Sequence, residues 1–168
     1  SNIRQSGIIA IGLEEGDTLI SVAITSGKDH IMLGTKSGLA VRFEEGRIVE
    51  ARASRGEEVL KKVLDTDEGA ARLGEVALVP HSSPISKSGL LFFNTLFDEN
   101  AASHIALGQC YSKCFVGGDK LTPQQIADQG GNKSLIHIDW MIGSDQIDID
   151  GVHADGHRVP VFRKGEWA

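Results

Sequence analysis

Residues 41–47 read VRFEEGR, and this short run decides how the N-terminal third of the chain folds. Val41 and Phe43 alternate with Arg42, the period-two pattern of a strand with one apolar face. Glu45-Gly46 then supplies a turn, and RIVEARA at 47–53 resumes the strand pattern, so a tight antiparallel hairpin is expected. Working outward, residues 8–13, 19–25, 30–34, 39–43 and 47–53 are each rich in Ile, Val and Leu. They are punctuated by EGD at 15–17, SGKD at 26–29 and KSG at 36–38, which are turn formers. Consecutive strands joined this way form an antiparallel meander. A meander of this length needs a second layer over its apolar face.

The rest of the chain offers that layer. Residues 57–64 are charged on one side and place Val59, Leu60, Val63 and Leu64 at helical spacing. Residues 75–79 and 90–93 read as strands, and the Ala-rich, irregular stretch 98–107 reads as a helix. Thr122-Pro123 matches an N-cap followed by proline at the first helical position, with Gly130-Gly131 closing that helix. Residues 133–142 form a β-branched run, and 146–150 with 159–162 read as a closing hairpin. The expected class is α+β. An N-terminal antiparallel β-meander would pack with a mixed α/β region as a single domain over residues 1–168.

At 168 residues, 40% apolar and 24% charged, the composition is that of a soluble globular protein with room for a core. The formal charge of −6 argues against a phosphate-binding surface, so nucleic acid is not an expected partner. No apolar run approaches the roughly 20 residues that span a bilayer, and no signal-peptide pattern opens the chain. Cys110 and Cys114 are too few for a disulfide scaffold, and a reducing cytoplasm is the expected compartment.

Three patterns carry candidate chemistry. His137-Ile138-Asp139 lies in an expected strand, where residues two apart share a face, so imidazole and carboxylate project together. That pair suits a divalent ion such as zinc, cobalt or manganese, although an H-x-D pair in a strand is more often structural. His104 and Tyr111, seven residues apart, share a face if one helix runs through Gly108; a half-buried core histidine and a core-edge tyrosine is the alternative. Glu75 opens an apolar strand, where a buried carboxylate needs a metal or a cationic partner, unless the strand end leaves it solvated. The run DQIDIDGVHADGH at 145–157 resembles a calcium loop only superficially, because Gln146 and His157 stand where Asp and Glu are needed. Cys110 and Cys114 lack C-x-x-C spacing and read as ordinary thiols.

Two resemblances bear on these residues. NIRQSGIIAIGLEEGDTLISVAITSGKDHIMLGTKSGLAVRF resembles one blade of the DNA-wrapping C-terminal domain of the DNA gyrase A protein, over about residues 1–43. DEGAARLGEVALVPHSSPIS, SGLLFFNTLFDENAASHIALG, GGNKSLIHIDWMIGS and FRKGEWA resemble the C-terminal catalytic region of the metallo-aminopeptidases of the aminopeptidase T and S type, over about 41–168. The second resemblance implies Glu75, His104, His137 and Asp139 as ligands of divalent metal (Zn, Co, Mn or Mg), in a two-metal hydrolytic site. It implies Glu75 as general base and Tyr111 as oxyanion stabiliser, with a peptide as substrate. It also implies a further glutamate ligand in a PTEEVFTTP-like segment, which this chain lacks, and a large N-terminal domain for which gyrase-like sequence stands instead.

The chain is therefore expected to be a recombinant chimera without a native function, crossing over within 41–47 and retaining an incomplete metal site. The alternative is a weakly active metal-dependent aminopeptidase, and a DNA-binding module is a third reading. Exposed strand edges and apolar surface imply self-association as a dimer or higher oligomer, with strand swapping as one route.

Overall fold

The computed structural model describes residues 30–34, 39–153 and 155–168. The strands expected at 8–13 and 19–25 lie outside the described residues. Among the described residues, nine strands form three antiparallel three-stranded sheets, ordered β1-β2-β3, β4-β5-β6 and β7-β8-β9. The mixture of helices and antiparallel sheets is the α+β class expected.

The first sheet is the hairpin read from VRFEEGR, with one strand before it: β1 His30–Gly34, β2 Leu39–Glu44 and β3 Arg47–Ala53. Glu45 and Gly46 both take positive φ, 49° and 74°, as a two-residue turn between right-twisted strands requires. Helix α1, Glu57–Leu64, follows. Glu57 and Glu58 in its first turn and Lys61 and Lys62 in its last suit the helix dipole. Glu57 accepts the Ala53 amide at 3.1 Å, which ties the helix to β3. Leu60, Val63 and Leu64 pack on the core, whereas Val59 is exposed, so the apolar stripe is one residue narrower than its spacing implied.

The second sheet comprises β4 Leu73–Ala77, β5 His104–Gly108 and β6 His137–Met141. It joins the first edge to edge: the Ile48 amide donates to the Ala71 carbonyl at 2.7 Å and the Leu73 amide to the Gly46 carbonyl at 2.8 Å. Ile105, Leu107, Ile138 and Trp140 from this sheet share one core with Val41, Phe43 and Ile48. The residues at the expected crossover are thus at the centre of the packing. The third sheet, β7 Ile149–Val152, β8 Arg158–Arg163 and β9 Glu166–Trp167, contains the closing hairpin, its first strand starting later than expected. Gly165 donates to the Ile147 carbonyl at 2.9 Å and accepts the His81 amide at 2.8 Å.

Two sequence expectations fail between β4 and β5. Residues 90–93 form no strand. They run between the short helices α2, Pro84–Ser88, and α3, Thr95–Asp98. The buried Asp98 carboxylate accepts the Phe92 and Asn94 amides at 2.8 and 3.0 Å, replacing a strand ladder with side-chain bonds. The expected helix over 98–107 is also absent. A single 3₁₀ turn spans Glu99–Ala101, and the chain then enters β5. Farther on, α4, Pro123–Asp128, begins as expected, with Thr122 and Gln125 forming a reciprocal capping box. Among the described residues no helix is long and apolar enough to cross a membrane.

Candidate metal centre

The second sheet turns two chemically different faces outward. Directly paired residues in an antiparallel sheet point to the same side. Ile105 pairs with Val76 and Trp140, and Leu107 with Ile138, which makes the core face. On the opposite face, Ala106 pairs with Glu75 on one side and Asp139 on the other, while His104 lies across from Ala77 and His137 from Gly108. A register shift between Leu73 and Glu75 brings Glu75 level with Ala106. Three strands thereby project Glu75, His104, His137 and Asp139 from one face around a single alanine, Ala106.

The four side chains converge. Glu75 Oε1 lies 3.5 Å from His104 Nε2, Glu75 Oε2 lies 3.2 Å from His137 Nε2, and Asp139 Oδ1 lies 3.1 Å from His137 Nε2. Donor atoms of Glu75, His104 and Asp139 all fall within 4.8 Å of one another. His104 is 3% exposed and Asp139 fully buried.

Both imidazoles are oriented from behind. His104 Nδ1 donates to the Ala102 carbonyl at 3.0 Å, and His137 Nδ1 to the Gln109 carbonyl at 2.6 Å. A proton committed to Nδ1 leaves Nε2 as the metal-binding nitrogen of the neutral ring. Gly108 makes the second of these bonds possible. Its φ of +93° ends β5, and a Cβ there would stand 2.2 Å from the Ile136 carbonyl oxygen.

The cluster leaves polar atoms stranded. Glu75 Oε2, His137 Nε2 and both Asp139 oxygens are buried without a hydrogen-bond partner. The contacts at 3.1–3.2 Å among them are close enough for charge to act, but they are not aligned as hydrogen bonds. Buried polar atoms left so are costly unless something binds them. Two imidazoles and two carboxylates facing one gap are a donor set for a divalent ion of borderline softness. The residues present therefore fit the metal.

Without a cation, protons respond to the same field. Contacts with His104 and His137 outweigh burial and hold Glu75 down to about 2. Burial pulls His137 down, but Asp139, Glu75 and the Gln109 carbonyl outweigh it and bring the ring up to about 10. Burial, followed by the charge of Glu75, pushes the Tyr111 phenol up to about 12.

Tyr111 is not on a helix with His104. It follows β5 in a loop, and its half-exposed ring lies 4.7 Å from that of His137. The correction has a physical cause: β5 is an extended central strand, so seven residues carry the chain out of the sheet rather than along a helix face. The sequence reading also missed Glu99. This half-buried carboxylate forms no hydrogen bond or ion pair among the described residues, and burial, followed by Asp139, pushes it up. Its signal was present in DEN at 98–100, five residues before His104.

Comparison with known proteins accords with this geometry. Residues 24–167 match the family described as thermophilic metalloprotease (M29). The chain is 59% identical over 130 residues to aminopeptidase T of Thermus aquaticus, covering 77% of this chain and 31% of that protein. It is 52% identical over 176 residues to aminopeptidase AmpS of Bacillus subtilis, covering 99% and 43%. The solved structure of wild-type AmpT from Thermus thermophilus superimposes with a TM-score of 0.68 at 51% identity, over 90% of this chain and 36% of that one. A stretch of 48 residues, 29% of this chain, is 56% identical to the DNA gyrase A protein of Streptococcus pyogenes, covering 6% of it. The chain spans about a third of the length of aminopeptidase T, and the family match reaches upstream of the expected crossover, to residue 24. The family match over residues 24–167, most of the sequence, places this chain in the thermophilic metalloprotease (M29) family.

Proposed function

We propose that the chain is a metal-dependent hydrolase module of aminopeptidase type, with Glu75, His104, His137 and Asp139 as the ion's ligands. The observation that carries this reading is the set of stranded buried atoms on Glu75, His137 and Asp139 around Ala106. When bound, a divalent ion supplies an activated water and polarises the scissile carbonyl. The chain's own residues do the rest. Glu75, partly exposed and ionised, takes the proton from the attacking water and delivers it to the leaving amine. Tyr111, protonated at neutral pH and half exposed beside the cluster, donates to the developing oxyanion. Glu99 adds negative charge at the rim, where a substrate's free α-ammonium would be held. The relatives' printed names as aminopeptidases support a peptide amino terminus as the substrate class.

Calorimetric titration with Zn²⁺ or Co²⁺, alongside hydrolysis of leucine p-nitroanilide, tests this. Binding in the wild type that is lost in His137→Ala and Glu75→Ala is the expected result. No heat of binding in the wild type, or equal affinity in all three proteins, would sink the assignment of ligands.

A second reading concerns ancestry, and the gyrase match favours it. We infer a junction at residues 41–47 between gyrase-like and aminopeptidase-like sequence, with residues 1–43 contributed by the gyrase-like part. A family match starting at residue 24 and an AmpS alignment over 99% of the chain weigh against a clean crossover. Sequencing the source locus decides it: one uninterrupted natural reading frame through the junction would overturn the graft.

A further inference from the structure

The turn between β7 and β8, HADGH at 153–157, takes no part in the metal centre. It is closed by the His153 amide on the His157 carbonyl at 2.8 Å and the Gly156 amide on the His153 carbonyl at 2.9 Å. The His157 amide also donates to Asp155 Oδ1 at 2.9 Å. In this turn the His153 and His157 rings lie side by side, centroids 5.7 Å apart and planes 27° from parallel. Both rings are exposed, and neither makes a hydrogen bond or ion pair among the described residues.

Two imidazoles on one tetrahedral ion, with metal–nitrogen bonds of about 2.0–2.1 Å, have ring centroids about 5 Å apart. Small side-chain rotations cover the difference from the separation seen. We propose that His153 and His157 form a surface site for a borderline divalent transition ion such as nickel, copper or zinc. Water completes the shell. Two imidazoles do not suit calcium and magnesium, which take oxygen ligands. The neighbouring cation Arg158 lies 3.8 Å from Asp150, which offsets its charge. No donor is shared with Glu75, His104, His137 or Asp139, so this site stands or falls independently of the proposed hydrolase.

The test is Ni²⁺ titration of the full chain, followed through the ring-proton resonances of its six histidines. The His153 and His157 signals are expected to broaden together at micromolar Ni²⁺. In His153→Asn the His157 signal should need at least tenfold more metal, with the fold checked by tryptophan fluorescence. A His157 response unchanged by His153→Asn, or no broadening of either below millimolar Ni²⁺, would overturn the site.

Discussion

Replacing Phe43 by alanine tests whether the strands up to the expected crossover belong to the same folding unit as the metal-bearing sheet. Phe43 is 1% exposed and shares its cluster with Ile105, Leu107, Ile138 and Trp140 of that sheet. Removing a buried phenyl ring loses its transfer energy and leaves a cavity, together about 3–5 kcal/mol. A domain of this size has about 5–15 kcal/mol in all. At roughly 2–4 °C per kcal/mol, the midpoint should fall by about 6–20 °C. Tryptophan fluorescence during thermal unfolding reads this directly, because Trp140 is fully buried in the same cluster as Phe43. Val49→Ala on the same hairpin, 44% exposed, should change stability by less than about 0.5 kcal/mol. A loss below about 1 kcal/mol for Phe43→Ala, or a separate early transition that leaves Trp140 undisturbed, would refute the single core. The first sheet would then be a detachable appendage.

Four further outcomes are expected. Zn²⁺ added to chelator-treated protein should stabilise it by about 2.7 kcal/mol at a hundredfold excess over Kd. Ala106→Val, which fills the gap between Glu75 and Asp139, should abolish that rise while itself costing about 1–3 kcal/mol; a rise that persists would place the ion elsewhere. Asp67 accepts from Gly69, Ser134 and Leu135, and the Leu135 amide bond above all lowers its carboxyl below the usual range. Its contribution, about 1–2 kcal/mol after allowance for solvent, is therefore full above about pH 4 and lost as pH falls through the lowered value. Urea titrations of wild type and Asp67→Asn should accordingly differ at pH 7 and converge as the pH falls through that lowered value. Thr122→Ala breaks the capping box and should speed amide exchange in α4 by about 1 kcal/mol of local stability; unchanged exchange would mean that the box contributes nothing. Self-association, proposed from the exposed run of Leu90, Leu91, Phe93 and Phe97, should give a concentration-dependent mass by light scattering that Phe93→Ser lowers; a monomer throughout would dispose of it.

What could be read from the sequence was what local physics decides. The hairpin at 39–53, helix α1 and the Thr122 cap each depend on residues within a few positions of one another, and each formed where expected. His137 and Asp139 share a face because they share a strand, so their pairing was legible too. The failures lie where tertiary structure overrides propensity. Every residue of β5 is buried, so HIALG carries no alternation to mark it as a strand, and its alanine pulled the reading toward helix. LLFF at 90–93 has the composition of a buried strand, yet Phe93 sits at a φ of 54° and the Asp98 carboxylate takes up the neighbouring amides.

The meeting of Glu75 with His104 and Asp139 depends on strand register across more than sixty residues, and no spacing rule encodes that. One consequence joins fold to function. In β5 the large residues, Ile105 and Leu107, face the core, and the small ones, Ala106 and Gly108, face the site. The large residues thus fill the core side, and only small ones lie between the side chains of the cluster on the other. A larger residue at 106 would pack the sheet more fully and close the gap between the two carboxylates. On the proposed metal-bound reading, a small residue at 106 lets Glu75 and Asp139 approach each other across β5, and Ala106→Val is the substitution that tests it.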